Sequence, residues 1–203
     1  MKIYLATGNP HKVGELQSLL GQGLPDIKVC GAEELGGMPH VREDAGTFEG
    51  NALIKAQALR ETAPAGSWIL ADDSGLVVDA LEGAPGIYSS RYAGTHATDT
   101  DNRSKLLSEM EGVPETKRHA RFVCVLSLID PKGLVHSFNG ICEGCITQDE
   151  QGKGGFGYDP VFRPDGHSQT FGNLPATTKN SISHRANALQ ELASFLKDRP
   201  ATG

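Results

Sequence analysis

The 203-residue chain predicts a mixed α/β fold. Its apolar residues change period several times, from short continuous runs to three- and four-residue steps and back. No internal repeat or low-complexity linker divides it, and its length suits one good-sized domain, residues 1–203, or two lobes sharing a core.

The elements follow in order. Residues 2–6 read as a strand, and 10–20 as a helix with Val13, Leu16, Leu19 and Leu20 as its apolar stripe. Pro10 falls near that helix start, where its missing N–H costs little. Residues 47–62 read as a second helix, with Phe48, Ala52, Ala56 and Leu59 on one face and Asn51 and Lys55 sharing another. Residues 68–71 form a short apolar strand that ends in Asp72-Asp73-Ser74-Gly75, followed by an apolar stretch over 76–81. A loop rich in Gly, Ser and Thr spans 83–100, and a helix is predicted over 102–111. Strands at 120–129 and 134–146 flank Pro131-Lys132-Gly133 and are expected to form a hairpin. Residues 184–197 read as a last helix with Ser183 as its N-cap, and 200–203 as a frayed tail.

The net charge of −6 lacks the basic excess that many phosphate contacts require, which argues against a nucleic acid polymer. No stretch approaches the roughly 20 apolar residues needed to cross a bilayer. The apolar start is too short for a signal peptide, so a cytoplasmic protein is expected. Cys142 and Cys145 have a zinc-knuckle spacing but no second pair. On a strand, residues three apart face opposite sides, so neither a metal nor a redox role is expected of them.

Four segments carry candidate chemistry. Thr7, Gly8, Asn9, Pro10, His11 and Lys12 form a strand-to-helix turn whose free N–H groups suit a phosphate, with Lys12 adding charge; a plain turn with a solvated lysine is the alternative. Asp72 and Asp73 close an apolar strand. With Ser74-Gly75 opening a turn, both carboxylates reach a shared cation such as Mg²⁺, or merely cap the backbone. Glu43, Asp44 and Glu49 are placed to add a ligand. Gly152, Gly154 and Gly157 match a dinucleotide-binding spacing, but Asp159-Pro160 stands where a helix should begin, and the loop instead suits an aromatic ring, Phe156, held against a flat ligand. Lys179, His184 and Arg185 gather cations before the last helix, where the dipole disfavours them, a weak sign of a ligand. Taken singly, His184 reads as a capping or surface histidine.

Together these segments resemble the inosine-triphosphate pyrophosphatase family, in its bacterial branch acting on non-canonical purines. The match runs in order over nearly the whole chain: Thr7-Gly8-Asn9 with Lys12; Thr47-Phe48 with Asn51-Ala52 and Lys55-Ala56; Ala71 to Leu76; Gly83 to Tyr92; Gly154 to Phe162; and Ser183-His184-Arg185. One departure is Gly50, where many relatives carry Glu. Glu49 is rotated about 100° from that position, so Glu43 aligns better with the family's acidic metal ligand.

The resemblance implies a mixed sheet flanked by helices, two lobes with the site in the cleft, and a homodimer. It implies hydrolysis of ITP, dITP and XTP to the monophosphate and pyrophosphate. Glu43, Asp72 and Asp73 would hold Mg²⁺, with Asp73 as base. The turn from Thr7 to Lys12, together with Lys55 and Ser74, would grip the triphosphate. Phe156 would stack on the base within the Gly157-Tyr158 loop, with Asp159, Lys179, His184 and Arg185 reading base and ribose. A neighbouring cation is expected to keep Asp73 ionised. Donors such as Arg185 would donate to the six-oxygen of hypoxanthine or xanthine and reject the amino group of adenine. The competing readings are a non-catalytic nucleotide-binding module and an oxidoreductase using the glycine loop.

Overall fold

The computed structural model describes residues 1–21 and 23–197, and all of their side chains except those of Pro10 and His11; the tail expected at 200–203 lies outside the described residues. One six-stranded mixed sheet runs in the order β2-β1-β3-β4-β5-β6. Its strands are β1 (Lys2–Leu5), β2 (Lys28–Gly31), β3 (Trp68–Val78), β4 (His119–Ile129), β5 (Val135–Ile146) and β6 (Phe162–Pro164). The helices are α1 (Pro10–Gly21), α2 (Phe48–Thr62), α3 (Asp99–Glu109), α4 (Ala176–Ile182) and α5 (His184–Lys197). The chain divides into two compact units: the first is Met1–Asp73, Cys124–Gly140 and the described chain from Ala188 on, and the second is Ser74–Val123 with Ile141–Asn187.

In the first unit β1 pairs in parallel with β2 and with β3; Tyr4 lies opposite Cys30 on one side and Ile69 on the other. The pleat sorts alternate residues to two cores. Ile3, Leu5, Trp68 and Leu70 pack with Leu16 and Leu20 of α1 and Leu189, Leu192 and Leu196 of α5. Tyr4, Ala6, Ile69 and Ala71 pack with Ala56 and Leu59 of α2. Helices on both faces explain why β1 and the start of β3 are continuously apolar rather than alternating. Thr47 caps α2, its hydroxyl accepting the Gly50 N–H at 3.1 Å.

The second unit has its own core, in which Leu76, Val78, Leu106, Met110, Phe122, Tyr158, Phe162 and Phe171 are buried. Phe122 and Phe162 meet edge to face at 4.6 Å. α3 starts three residues earlier than the spacing of apolar residues predicts, because Thr98 and Asp101 form a reciprocal capping box that adds a polar first turn. β6 pairs antiparallel with β5. The short β2, β6 and α4 carry too few residues for a periodic signal, and sequence reading misses them.

Two expectations change. β3 does not end at Asp72: it continues through Ser74 and Gly75 to Val78, so no turn opens there. Sheet pairing overrides the turn preference of a Ser-Gly pair. Lys179 belongs to α4, a separate helix, and not to the lead-in of α5. The hairpin of β4 and β5 is closed by Asp130, whose carboxylate accepts the N–H groups of Lys132 and Leu134.

Candidate active site

The continuous β3 sets the geometry of the paired carboxylates. Asp72 continues the face of Trp68 and Leu70, toward α1; Asp73 continues the face of Ile69 and Ala71, toward α2. The Asp72 side chain is 1% exposed, and Lys12 Nζ donates to both its oxygens at 2.8 and 3.0 Å. The two carboxylates therefore lie on opposite faces of one strand and not on a shared turn, which corrects the turn drawn from the sequence. A carboxylate this buried requires such a partner, and the ammonium one turn into α1 supplies it.

The turn before α1 is present, but it bonds internally several of the N–H groups expected to be open, the Thr7 N–H donating to the Leu5 carbonyl. Thr7 Oγ1 accepts the Asn9 N–H at 3.1 Å, and the Lys12 N–H donates to the Asn9 carbonyl. Gly8 and Asn9 are exposed, and a Cβ on Gly8 would touch nothing within 4 Å, leaving the space over the turn open. The side chains of Pro10 and His11 lie outside the described part.

On the α2 face, Lys55 Nζ lies 2.9 Å from Asp73 Oδ1 and 3.0 Å from Glu43 Oε2. Asn51, fully buried one turn earlier, donates to Asp73 Oδ2 at 3.4 Å and accepts the Ala45 N–H at 3.1 Å, tying the segment that carries Glu43 to Asp73. Gly50 fits beneath that segment: a Cβ there would meet the Ala45 Cβ at 2.5 Å. Asp44 pairs instead with Arg42, and Glu49 is exposed.

Burial works against the Lys55 charge, yet Asp73, then Asp72 and Glu43, hold its pKa above the ordinary value. Asp73 is shifted as well. Burial raises its pKa from the ordinary aspartate value, Glu43 adds to the rise, and Lys55 and Asn51 only partly oppose it. Among the described residues no group of three or more His, Cys, Asp or Glu side chains is gathered as a metal cluster.

In the second unit, Ser74 is half-buried on β3 directly after Asp73. The glycine-rich loop is shaped by close approach. A Cβ on Gly152 would lie 2.2 Å from the Gly172 carbonyl, and one on Gly155 would lie 2.0 Å from the Asp159 carboxylate. After Gly157 comes only the short 3₁₀ turn Asp159–Val161, so the dinucleotide reading fails for want of a helix. Phe156 is 57% exposed, and its ring carries Lys179 Nζ at 4.5 Å and the Arg185 guanidinium at 5.9 Å. An exposed aromatic ring flanked by cations is a platform for a flat anionic ligand.

Asp159 is buried and occupied internally. It accepts from the Phe156 N–H at 2.8 Å and from Lys179 Nζ at 2.5 Å, so it shapes the loop. Tyr158 turns into the core, where its hydroxyl donates to the Ser89 carbonyl at 2.8 Å. His184 is buried rather than on the surface: it stacks on Phe122 at 4.8 Å with 14° between the planes. Arg185 is equally buried except toward Phe156. Sequence reading overlooks Asp99 and Arg103, which hold Gly157, because neither lies in a recognisable motif.

Cys30, Cys124, Cys142 and Cys145 form no disulfide, with Cys142 buried and Cys145 half-buried, as the strand pleat requires. Among the described residues no helix is long and apolar enough to cross a membrane.

These features define a mixed α/β protein in which two acid–lysine pairs flank one strand and a cation-ringed aromatic stands on a glycine loop. The chain belongs to the Ham1 family, whose model matches residues 3–195. It is 47% identical over 199 residues to a dITP/XTP pyrophosphatase of Opitutus terrae, covering 96% of this chain and 98% of that one. It is 48% identical over 201 residues to a dITP/XTP pyrophosphatase of Desulforamulus reducens, covering 97% and 96%. Among solved structures, the Staphylococcus aureus Ham1 protein superposes with a TM-score of 0.88 at 38% identity, over 98% of this chain and 99% of that one. A Ham1 protein from Coxiella burnetii gives 0.88 at 39%, over 98% and 100%. The resemblance read from the motifs is thus borne out at the level of the family.

Proposed function

We propose that this chain hydrolyses non-canonical purine nucleoside triphosphates, ITP, dITP and XTP, to the monophosphate and pyrophosphate, with Mg²⁺ as cofactor. The observation that carries the reading is Lys55 held jointly by Asp73 and Glu43 on α2 and β3. The similar proteins from Opitutus terrae and Desulforamulus reducens, both dITP/XTP pyrophosphatases, support the same reading.

The donor set fits Mg²⁺, a hard ion that takes carboxylate oxygens, keeps several waters and shares substrate phosphates. Glu43 and Asp73 supply oxygens drawn to one point by a lysine; Asp72, nearly closed off with Lys12, serves that face by fixing Lys12. When bound, the ion would neutralise charge on the triphosphate.

The residues perform the rest. The exposed Gly8 of the turn from Thr7 to Lys12 leaves room for phosphate oxygens at a helix N-terminus, whose dipole favours them. Lys55 and Lys12 place positive charge where the departing pyrophosphate gains negative charge. Asp73, its pKa raised by burial, accepts a proton from the attacking water as the oxygen bonds to the α-phosphorus and the α–β bridge oxygen leaves with pyrophosphate. In the second unit Phe156 takes the face of the base, while Arg185 and Lys179, donors only, favour an acceptor oxygen on its edge.

Pyrophosphate release from ITP, XTP, GTP and ATP, with and without Mg²⁺, tests this reading. Mg²⁺-dependent release from ITP and XTP, with little from ATP, is expected. Nucleotide binding without release from any of the four would replace the enzyme with a binding module. A homodimer belongs to the same proposal and is checked by sedimentation velocity.

A further inference from the structure

The exposed Phe156 ring stands on a backbone pinned from two sides. Its own N–H donates to Asp159, within the loop. The next residue, Gly157, is held at both ends by α3: its N–H donates to Asp99 Oδ2 at 2.7 Å, and its carbonyl accepts from Arg103 Nη1 at 2.9 Å. Asp99 and Arg103 are four residues apart, so one face of α3 presents an acceptor and a donor at the spacing of a single residue. The arrangement is braced. Arg103 Nη2 donates to Thr100 Oγ1 at 3.1 Å, and Arg103 Nε lies 3.0 Å from Glu150 Oε1. Gly157 sits at φ +58, a conformation that favours glycine, with no protein atom within 4 Å of where a Cβ would be. The two α3 side chains thus hold both peptide groups of this residue.

We propose that Asp99 and Arg103 are positioning residues that hold the Phe156 loop in the shape that receives a purine base. The inference deepens the reading above and rests on it. Both residues act through Gly157 on the ring of Phe156. A loop held ready loses less freedom on binding, so releasing the clamp weakens the nucleotide complex without touching the reacting atoms.

The test measures three things on Asp99→Ala, Asp99→Asn and Arg103→Gln. These are KM and kcat for ITP with Mg²⁺, calorimetric affinity for IMP, and amide exchange of Phe156 and Gly157 by NMR without nucleotide. Asp99→Ala and Arg103→Gln are expected to raise KM and weaken IMP binding about tenfold each, with kcat unchanged within about twofold, and to speed exchange of the Gly157 amide. Asp99→Asn, which keeps an acceptor for Gly157, is expected to restore most of the affinity. A purely structural role would move thermal stability alone, without a KM-against-kcat split or rescue by Asn. Unchanged KM and IMP affinity in folded Asp99→Ala and Arg103→Gln would overturn the proposal, as would unchanged Gly157 exchange. If wild-type protein released no pyrophosphate from ITP, the hydrolase reading would fall, while IMP affinity and amide exchange would still decide the clamp. Should Asp99→Ala not fold, Arg103→Gln carries the same three measurements.

Discussion

Asp72 and Asp73 are chain neighbours on β3 that face opposite helices: Lys12 of α1 holds both oxygens of Asp72, and Lys55 of α2 holds one oxygen of Asp73 at 2.9 Å. The pleat of a single strand thus gives adjacent carboxylates different partners and different tasks.

Asp73→Asn is expected to lower kcat at least a hundredfold while nucleotide affinity changes little, since the amide keeps its size but cannot accept the proton. Burial, reinforced by Glu43, raises the Asp73 pKa despite Lys55 and Asn51, and the base works only when deprotonated. The sign follows: wild-type kcat/KM falls as pH drops through that raised pKa. Rates of pyrophosphate release across pH check both points, and an Asp73→Asn enzyme with wild-type turnover would remove Asp73 as base.

Replacing Lys55 by Met leaves Asp73 and Glu43 facing each other without their shared ammonium. A loss of about 1–3 kcal/mol in folding stability is expected. Because Lys55 is the main force lowering the Asp73 pKa, the acid limb of the rate profile should move to higher pH. Urea denaturation and the pH–rate profile measure the two effects; a variant as stable as wild type would contradict the pairing.

Lys12→Met acts on the other face. It strips the ammonium from a carboxylate whose side chain is 1% exposed, at an expected cost of about 3 kcal/mol or more. Asp72→Asn, which also removes the buried charge, should cost less. Thermal melts of the two variants rank them, and the reverse order would show that Lys12 is not the counter-charge Asp72 depends on.

Phe156→Ala should raise KM roughly tenfold or more for every base tested with kcat little changed, as stacking contributes about 1–3 kcal/mol regardless of base identity. The ring is 57% exposed, so stability should hold within about 0.5 kcal/mol. A loss confined to kcat would place Phe156 outside base binding.

Burial, then Asp165 and Glu143, push the Cys142 thiol up to about 11, whereas Cys145 faces the opposite side of β5 and is half-buried. Iodoacetamide at pH 8 on the native protein should therefore modify Cys145 well before Cys142, because the thiolate is the reactive form. Mass spectrometry of the labelled peptides reads the order directly.

Much of this molecule was legible in one sequence because it depends on local pattern. The stripe of α1, the apolar face of α2 and the hairpin turn at Pro131-Lys132-Gly133 each declare themselves within a dozen or so residues. So do the strand-to-helix turn at Thr7 and the exposed Phe156 among its glycines. The order of the motifs was enough to place the chain in its family, with the α/β fold that goes with it.

Tertiary structure alone decided how these pieces are used. Whether β3 stops at Asp72 or runs to Val78 depends on sheet pairing with distant strands, and that pairing sends Asp72 and Asp73 to opposite helices. The direction of the Asp73 pKa depends on how deeply it is buried, which no neighbouring letter encodes. His184 and Tyr158 read as surface or ligand-facing and prove to be core residues, because Phe122 and Ser89, 62 and 69 positions away, fold against them. The Gly157 clamp joins residues 54 and 58 positions apart. Local chemistry is written in short range, but burial and partnership are properties of the packed chain.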